Sequence, residues 1–387
     1  MAEAYIVEAV RTPGGRARKG GLVGVHPADL GATVLDALVN RSGIDPAAIE
    51  DVILGCVTQA GEQAFAFGRN CVLASKLPQS TPAVTIDRQC GSSQQALQFA
   101  AQAVMSGTQD VVIAAGAESM TRVPMNSNWQ IHVENGVGTG PWPSSIQKRF
   151  GVAGFSQFHG AQAIADKYGI TREAMDAFAL ESHAKAGAAI DSGAFEDEIV
   201  PVKAGKGVIS TDEGVRRGGT MKKMAEIQPI TEGGSITAAN ASQMTDGASG
   251  VLVVSERALK DHDLVPLARL HHFSVSAGDP VIMLEEPIAA TRKALARTGM
   301  NLADIDLFEV NEAFASVPLA WLQALDADPE KLNLNGGAIA LGHPLGATGT
   351  KLMATLIHAL KARGGRYGLQ AMCEGGGMAN VTIVEAL

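Results

Sequence analysis

Cys90 is the side chain best placed for covalent chemistry in this sequence. It follows an apolar run, residues 81–86, and stands at the start of an amphipathic helix pattern. A thiolate is a strong nucleophile, and the amino end of a helix favours the charged form of a thiol. The position therefore predicts a nucleophile, although an apolar-flanked cysteine is more often a small core residue. Cys56 and Cys71 are interpreted as core residues of that kind.

His343 is the candidate base. It lies between glycines and Pro344, just ahead of a second amphipathic helix pattern. Imidazole is the side chain best suited to accept a proton near neutral pH. The surrounding glycines form neither a phosphate-binding loop nor a dinucleotide-binding fingerprint. From this segment alone, a structural histidine in a glycine-rich turn is an equal alternative.

Cys373 and Asn311 each close an apolar strand pattern. Cys373 is followed by Glu374 and then by three glycines, residues 375–377. Glycines let the backbone approach a ligand closely and aim N–H groups at a developing oxyanion. Asn311 is followed by Glu312, a polar pair that could support chemistry or could equally cap the next helix.

Two segment matches predict an internal duplication that would position these side chains. Residues 43–52 align with residues 299–308, and residues 111–116 align with residues 369–374, in the same order and with nearly the same spacing. Each half also carries an amphipathic helix pattern, which spans residues 97–105 in the first half and 352–360 in the second. Strands that alternate with such helices predict parallel sheets covered on both faces.

The stretch between the two halves breaks this pattern. It is rich in turn-forming residues but holds a helical segment, residues 171–188, and therefore predicts an inserted subdomain. The predicted domains are residues 1–117 with 246–265, an inserted loop domain at 118–245, and residues 266–387. The insertion gathers six basic residues, Lys203, Lys206, Arg216, Arg217, Lys222 and Lys223. They form either a solvated surface loop or a site for a ligand that carries a polyphosphate.

Composition and charge exclude several classes of protein. A chain of 387 residues, 46% hydrophobic and 18% charged, predicts a compact α/β protein with a large core. Its net charge of -9 supplies no basic face for nucleic acid, and no apolar stretch is long enough to span a membrane. The acidic first residues are unlike a signal peptide and predict a cytoplasmic protein. The scattered cysteines and histidines predict neither a disulfide framework nor a metal site.

Taken together, these segments resemble the thiolases. The motifs that match, in the thiolase order and across essentially the whole chain, are Cys90-Gly91-Ser92, Asn311-Glu312-Ala313-Phe314-Ala315, Gly342-His343-Pro344, and Cys373 followed by Gly375-Gly376-Gly377. The resemblance implies a duplicated α/β fold of five layers, αβαβα, with the loop domain inserted. It also implies an acyltransferase that reversibly cleaves 3-ketoacyl-CoA to acetyl-CoA and a shortened acyl-CoA, with coenzyme A as co-substrate and no permanently bound cofactor.

The resemblance further implies a role for each catalytic candidate. Cys90, deprotonated by His343, would attack the thioester and hold the acyl group, while Cys373 would protonate the departing acetyl-CoA enolate. One oxyanion pocket would be formed by His343 with a water held by Asn311. The other would be formed by the backbone N–H groups of Cys90 and Gly375.

Coenzyme A, by the same resemblance, would bind against the inserted loop domain. Arg216 would lie near its adenosine or phosphate end, Ser242 and Ala238 near the pantetheine arm, and Phe314 along the pantetheine tunnel. Relatives are homodimers or homotetramers, and the sequence favours neither.

The chain departs from the usual thiolase pattern at residues 157–162, at residues 284–287 and at Glu374. These segments lie near the acyl or pantetheine path in relatives, and the glutamine-rich surroundings of Cys90 are similar to those of relatives that take bulky acyl groups such as steroid side chains. Two alternatives share parts of the pattern. A decarboxylating condensing enzyme of the ketoacyl synthase type would carry a second histidine in place of Cys373, and a non-catalytic acyl-CoA- or lipid-binding relative would lack one of the catalytic groups.

Overall fold

The computed structural model describes residues 2–387 of the 387-residue chain. The strands are β1 (Ala4–Arg11), β2 (Gly15–Arg16), β3 (Asp51–Gly55), β4 (Ala83–Ile86), β5 (Val111–Ser119), β6 (Val202–Ala204), β7 (Gly207–Ile209), β8 (Thr245–Ser255), β9 (Ala268–Ala277), β10 (Leu307–Val310), β11 (Tyr367–Glu374) and β12 (Met378–Ala386). The helices are α1 (Pro27–Ser42), α2 (Phe67–Ala74), α3 (Ser92–Met105), α4 (Ser127–Glu134), α5 (Ser144–Phe150), α6 (Gln157–Tyr168), α7 (Arg172–Asp191), α8 (Met221–Ala225), α9 (Glu256–Asp261), α10 (Glu286–Thr298), α11 (Ser316–Leu325), α12 (Ala338–Leu341) and α13 (Thr348–Arg363).

The strand order repeats between the two halves of the chain. The first half runs β4-β3-β5-β8-β1 and the second runs β10-β11-β12-β9 from its outer edge inwards. An isolated parallel bridge between Phe308 and Leu332 stands where β4 stands in the first half. β1 pairs with β9 over only two residue pairs, which joins the halves into one continuous sheet. The strand order therefore carries the duplication that the sequence predicts.

Equivalent glycines end equivalent helices in the two halves. α1 ends at Gly43 and α10 ends at Gly299, each in the left-handed conformation with a φ of 73°. A residue with a Cβ is disfavoured in that conformation, so glycine is the usual helix stop there. The aligned segments 43–52 and 299–308 thus begin at the same structural event and then feed the equivalent strands β3 and β10.

The sheets are mixed, so the prediction of purely parallel sheets was wrong. β3 pairs in parallel with β4 and β5, and β10 pairs in parallel with β11. The remaining pairings within each half are antiparallel, including β5 with β8 and β11 with β12. An antiparallel neighbour needs no crossover helix, and β11 returns directly as β12 through the glycine turn at residues 375–377. The helix pattern therefore identified the parallel strands but not those that return without a helix.

Five layers stack around these strands. β5 is buried along its whole length, with Val111 and Ile113 packed in the same core as α1 and α2, and Val112 and Ala114 packed in the core that holds α3 and α13. α3 and α13 contact strands of both halves, and α10 and α11 cover the far face of the second half. The order α, β, α, β, α confirms the predicted five-layered fold.

The segment between β5 and β8 leaves the layered core. Residues 120–244 form α4 to α8 and the two-stranded β6–β7 sheet, and they add no strand to the large sheet. Its extent agrees with the predicted insertion to within a few residues, while the division into domains stays a prediction. Among residues 2–387 no helix is long and apolar enough to cross a membrane.

Candidate active site

Cys90 lies in the tight turn between β4 and α3. Gln89 adopts a left-handed φ of 48°, an uncommon conformation for a residue with a Cβ. The Ser92 hydroxyl pins the turn, because it accepts a hydrogen bond from the Arg88 N–H at 2.9 Å and donates one to the Gln89 carbonyl at 2.6 Å. As a whole residue Cys90 is partly exposed beside this turn.

Cys90 does not have the lowered pKa that its position before α3 suggests. Burial of the sulfur is the main cause that raises the pKa of Cys90 well above the ordinary thiol value, and Cys373 and Glu374 raise it further. Burial thus outweighs the stabilisation that the helix start was expected to give a thiolate, and the role of Cys90 as nucleophile stays a prediction. The two neighbours that oppose ionisation come from the distant strand β11, which the local pattern around Cys90 does not reveal.

The tautomer of His343 follows from its hydrogen bonds. Nδ1 lies 2.7 Å from Oγ1 of Thr348, and that hydroxyl donates to the Pro344 carbonyl at 2.9 Å. Because the hydroxyl proton is already used, Nδ1 must donate, which leaves the lone pair on Nε2. Nε2 lies 3.5 Å from Nδ2 of Asn311. The lone pair on Nε2 of His343 thus faces the side-chain amide of Asn311.

His343 is neutral at physiological pH. Burial lowers the pKa of its imidazole to about 3, and the nearby charge of Lys351 acts in the same direction. Lys351 also fixes the backbone ahead of the histidine, since its ammonium group donates to the carbonyls of Leu341 at 2.6 Å and Gly342 at 3.0 Å. A neutral imidazole with a fixed lone pair is the form that can accept a proton.

Asn311 directly follows β10, and Cys373 lies one residue before the end of β11. The two residues come together because β10 and β11 are neighbouring parallel strands. Parallel strands place their carboxyl ends at one edge of a sheet. Burial and the adjacent Glu374 raise the pKa of Cys373 to about 12, and the Asn311 side chain lies near enough to lower it slightly. Asn311 thus lies beside both His343 and Cys373. Oδ1 of Asn311 is buried and has no hydrogen-bond partner within residues 2–387.

The turn that follows Cys373 abuts the turn that holds Cys90. A Cβ built on Gly375 would lie 2.8 Å from Oε1 of Gln89, so the two turns are in close contact and a larger residue would displace the Gln89 side chain. Across the described residues, neither the Cys90 N–H nor the Gly375 N–H donates to another backbone group. Two free N–H groups held on adjoining turns can stabilise a developing oxyanion.

Known proteins match this chain over nearly its whole length. Family models described as thiolase, N-terminal domain, and thiolase, C-terminal domain, match residues 4–257 and 264–386. The chain belongs to the thiolase family. It is 54% identical to a steroid 3-ketoacyl-CoA thiolase of Mycobacterium tuberculosis, over all of this chain and 95% of that protein, and 41% identical to a 3-ketoacyl-CoA thiolase of Bacillus subtilis over the whole of both chains. The crystal structure of the Bacillus anthracis acetyl-CoA acetyltransferase superposes with a TM-score of 0.90 at 37% identity, covering 100% of this chain and 99% of that one.

Glu118 braces this thiolase site, a role that sequence reasoning missed. Its buried carboxylate accepts hydrogen bonds from the N–H groups of Val57 at 2.8 Å, Thr58 at 3.0 Å and Gly346 at 2.9 Å. It thus ties the first half of the chain to the loop that follows His343. The available signal was a carboxylate at the end of a fully apolar strand, β5, because a buried carboxylate requires several donors.

Part of the predicted coenzyme A site lines a surface cleft. Arg216 and Ala238 both line it, together with His183, Met224 and Ile339. His183 accepts a hydrogen bond from the Arg216 N–H at 3.2 Å, and burial lowers the pKa of His183 to about 4. His183 had no role in the sequence analysis, and its position beside Arg216 arises only from folding.

Ser242 and Phe314 lie next to one another but do not line this cleft. The Ser242 N–H donates to the Ala313 carbonyl at 2.9 Å, which pairs the two segments. Phe314 is buried and packs edge-to-face against Phe158 with ring centroids 5.5 Å apart. Within residues 2–387 no cluster of three or more His, Cys, Asp and Glu side chains could hold a metal ion.

Proposed function

We propose that this thiolase cleaves 3-ketoacyl-CoA, and runs the reverse condensation, through an acyl intermediate on Cys90. His343 accepts the Cys90 proton at Nε2 as the sulfur attacks the 3-keto carbon of the substrate. Support for this role comes from the fixed Nδ1–H tautomer, which leaves Nε2 as the only free lone pair of the ring. Because the pKa of Cys90 is raised, the thiol needs such a base at the moment of attack.

Cys373 acts as the acid and base at C2 of the substrate, the carbon that leaves as the acetyl-CoA enolate. Attack by Cys90 on the 3-keto carbon breaks the bond between C2 and C3, and the electron pair leaves as the acetyl-CoA enolate. Cys373 donates its proton to that enolate carbon and later takes the thiol proton of incoming coenzyme A, whose sulfur releases the acyl group from Cys90. The raised pKa of Cys373 favours this use, because a thiol that holds its proton at rest can act as the acid.

Two sets of donors stabilise the oxyanions in this proposal. Asn311, which already faces Nε2 of His343 at 3.5 Å, belongs to one set with the imidazole. The N–H groups of Cys90 and Gly375 form the other. Loss of one such donor typically slows a reaction about a hundred- to a thousandfold.

Coenzyme A occupies the cleft beside the inserted segment. Arg216 lies there with an exposed guanidinium that can pair with a phosphate, and Ala238 offers a small apolar wall for the pantetheine arm. Ser242 and Phe314 stand behind that wall on paired segments. We assign them to shaping the pantetheine path between the cleft and Cys90.

The single observation that carries the proposal is the position of Asn311. Its amide faces the imidazole of His343 at 3.5 Å and lies near the thiol of Cys373, while Cys373 lies close enough to Cys90 to raise its pKa. Groups from both halves of a duplicated chain thus share one site. A condensing enzyme of the ketoacyl synthase type would have a second histidine where this chain has Cys373. A non-catalytic acyl-CoA- or lipid-binding relative would lack one of the catalytic groups, and all of them are present here.

The acyl group is proposed to be bulky. Cys90 packs at the edge of an apolar cluster formed by Val57, Met120 and Leu345, with Met125 at its margin. Methionine side chains are flexible and adapt to ligands of irregular shape. The relative from Mycobacterium tuberculosis is named for steroid 3-ketoacyl-CoA, and we extend that substrate class to this chain.

Assembly and compartment complete the proposal. We assign a homodimer or homotetramer, since β4 is the free edge of its sheet, with Val84 46% exposed on it and Phe65 91% exposed nearby. All four cysteines are free thiols, as in proteins of the reducing cytoplasm.

A substrate panel tests the function. The purified protein would be given coenzyme A with short-chain, long-chain and steroidal 3-ketoacyl-CoA, and kcat/KM would be measured for each by loss of the substrate. We expect the highest value for the steroidal substrate and no turnover with Cys90→Ala. Turnover of none of the three by the folded protein would remove the thiolase assignment, and a preference for the short chain would remove only the bulky substrate.

A further inference from the structure

Glu374 is a buried acid beside the two reacting thiols, and the thiolase reaction described above gives it no task. It ends β11 directly after Cys373, is 0% exposed, and projects to the side of the strand opposite Cys373. Both of its carboxylate oxygens lack a hydrogen-bond partner within residues 2–387. An unpaired buried carboxylate is costly, so its retention in the core calls for a physical reason.

The carboxyl group of Glu374 fills the space beside Gly91. A Cβ built on Gly91 would overlap Oε1 and Cδ of Glu374, so a larger residue here would displace the carboxyl group. Gly91 is the residue that precedes α3, a helix of 14 residues. The positive end of that helix would ordinarily favour a thiolate on Cys90. Because the carboxyl group of Glu374 lies at this helix end too, two ionisable groups, the Cys90 thiol and the Glu374 carboxyl, share it.

Burial is the main cause that raises the pKa of Glu374 well above its ordinary value. Arg88 lies near enough to favour the charged carboxylate but forms no ion pair with it, and Asp87 opposes that charge. The Asn380 N–H faces the carboxylate from β12 without hydrogen-bond geometry. The remaining titratable groups around it are the thiols of Cys90 and Cys373, whose pKa values it raises.

We propose that Glu374 is a positioning residue that holds Cys90 and Cys373 as neutral thiols in the resting enzyme, by occupying the amino end of α3 with its own carboxyl group. Ionisation of the carboxyl and of either thiol then compete, because like charges in one buried site disfavour each other. Cys90 gives up its proton to His343 only as its sulfur forms a bond to the 3-keto carbon of a bound substrate. The inference rests on the proposed roles of Cys90 and Cys373.

Glu374→Gln provides the test, since glutamine keeps the shape of the side chain and removes its charge. The rate of inactivation by iodoacetamide would be measured against pH for the wild type and the variant, with mass spectrometry to locate the label on Cys90. We expect the midpoint of the profile to fall by about one pH unit in the variant, the lower end of the shift that a nearby like charge produces. The alkaline limb of kcat/KM should move in the same direction.

Glu309→Gln is the matched control. Glu309 is also a buried strand carboxylate with an unpaired oxygen, Oε2, but it lies near Glu312 and Lys351 rather than near the thiols. Its profile should coincide with that of the wild type. A midpoint in Glu374→Gln equal to that of the wild type, in a variant with native circular dichroism, would overturn the proposal.

A second measurement covers the case in which Glu374→Gln fails to fold. The wild-type profile alone should have its midpoint above the ordinary thiol value of about 8.5, and a midpoint at or below that value would overturn the proposal as well. Label found only on Cys56 or Cys71 would defeat the proposed nucleophile instead, so the two failures are distinguishable.

Discussion

Replacement of Thr348 by valine removes the group that fixes the tautomer of His343. Thr348 is fully buried and His343 is 4% exposed, so no bulk solvent can replace the 2.7 Å hydrogen bond between Nδ1 and Oγ1. In Thr348→Val the ring must either bury an unpaired Nδ1–H or move the proton to Nε2 and lose its free lone pair. Leaving a buried donor unpaired costs about 1–3 kcal/mol, which corresponds to a loss of about 5- to 150-fold in kcat/KM.

The assay compares thiolysis of one 3-ketoacyl-CoA by the wild type, Thr348→Val and Thr348→Ser. Serine keeps the hydroxyl that accepts from Nδ1 and donates to the Pro344 carbonyl, so Thr348→Ser should stay within about threefold of the wild type, less than the cost of one net hydrogen bond. A valine variant as active as the serine variant would refute the tautomer argument. Equal loss in both variants would refute it too, because the hydroxyl would then not be the cause.

Three further changes probe other parts of the site. Cys373→Ser should still take an acyl group from acyl-CoA but lose condensation, which a burst of free coenzyme A without condensed product would reveal; normal condensation would contradict the acid role. Arg216→Ala should raise the KM for coenzyme A more than it lowers kcat, and steady-state kinetics with an unchanged KM would clear Arg216 of a binding role. The pKa of His343 is about 3 in the folded protein against an ordinary 6.5, so the unfolded chain alone binds this proton between those pH values, and stability is lost as pH falls through that window. His343→Asn should therefore flatten the fall in free energy of unfolding from pH 6.5 to 3, measured by urea titration, and an unchanged slope would contradict the neutral buried imidazole.

The fold was predictable where local patterns repeat. The matches of residues 43–52 with 299–308 identified equivalent helix ends and strands, because Gly43 and Gly299 both stop a helix in the left-handed conformation. The helix periodicities also fell within α3, α13 and α7. The antiparallel strands were missed, since β8 and β12 pair with strands that their own sequence does not specify.

The candidate site was predictable in its residues but not in its electrostatics. Cys90, His343 and Cys373 stand out by residue type beside glycine turns, and those turns are local features. The raised pKa of Cys90 depends first on burial and then on Cys373 and Glu374. Glu374 is 284 positions away in the chain and lies beside the Cys90 turn only in the folded protein. Glu118 was missed for the same reason, because the backbone N–H groups that justify its burial come from separate segments.

The central claim is tested most directly by trapping the acyl enzyme. The protein would be mixed with an acyl-CoA in the absence of free coenzyme A, quenched in acid and digested, and the acylated peptide would be identified by mass spectrometry. We expect one acyl group per chain on Cys90, retained in Cys373→Ser and absent from Cys90→Ala. An acyl group carried by Cys56, Cys71 or Cys373, or none at all from a protein that cleaves 3-ketoacyl-CoA, would contradict it.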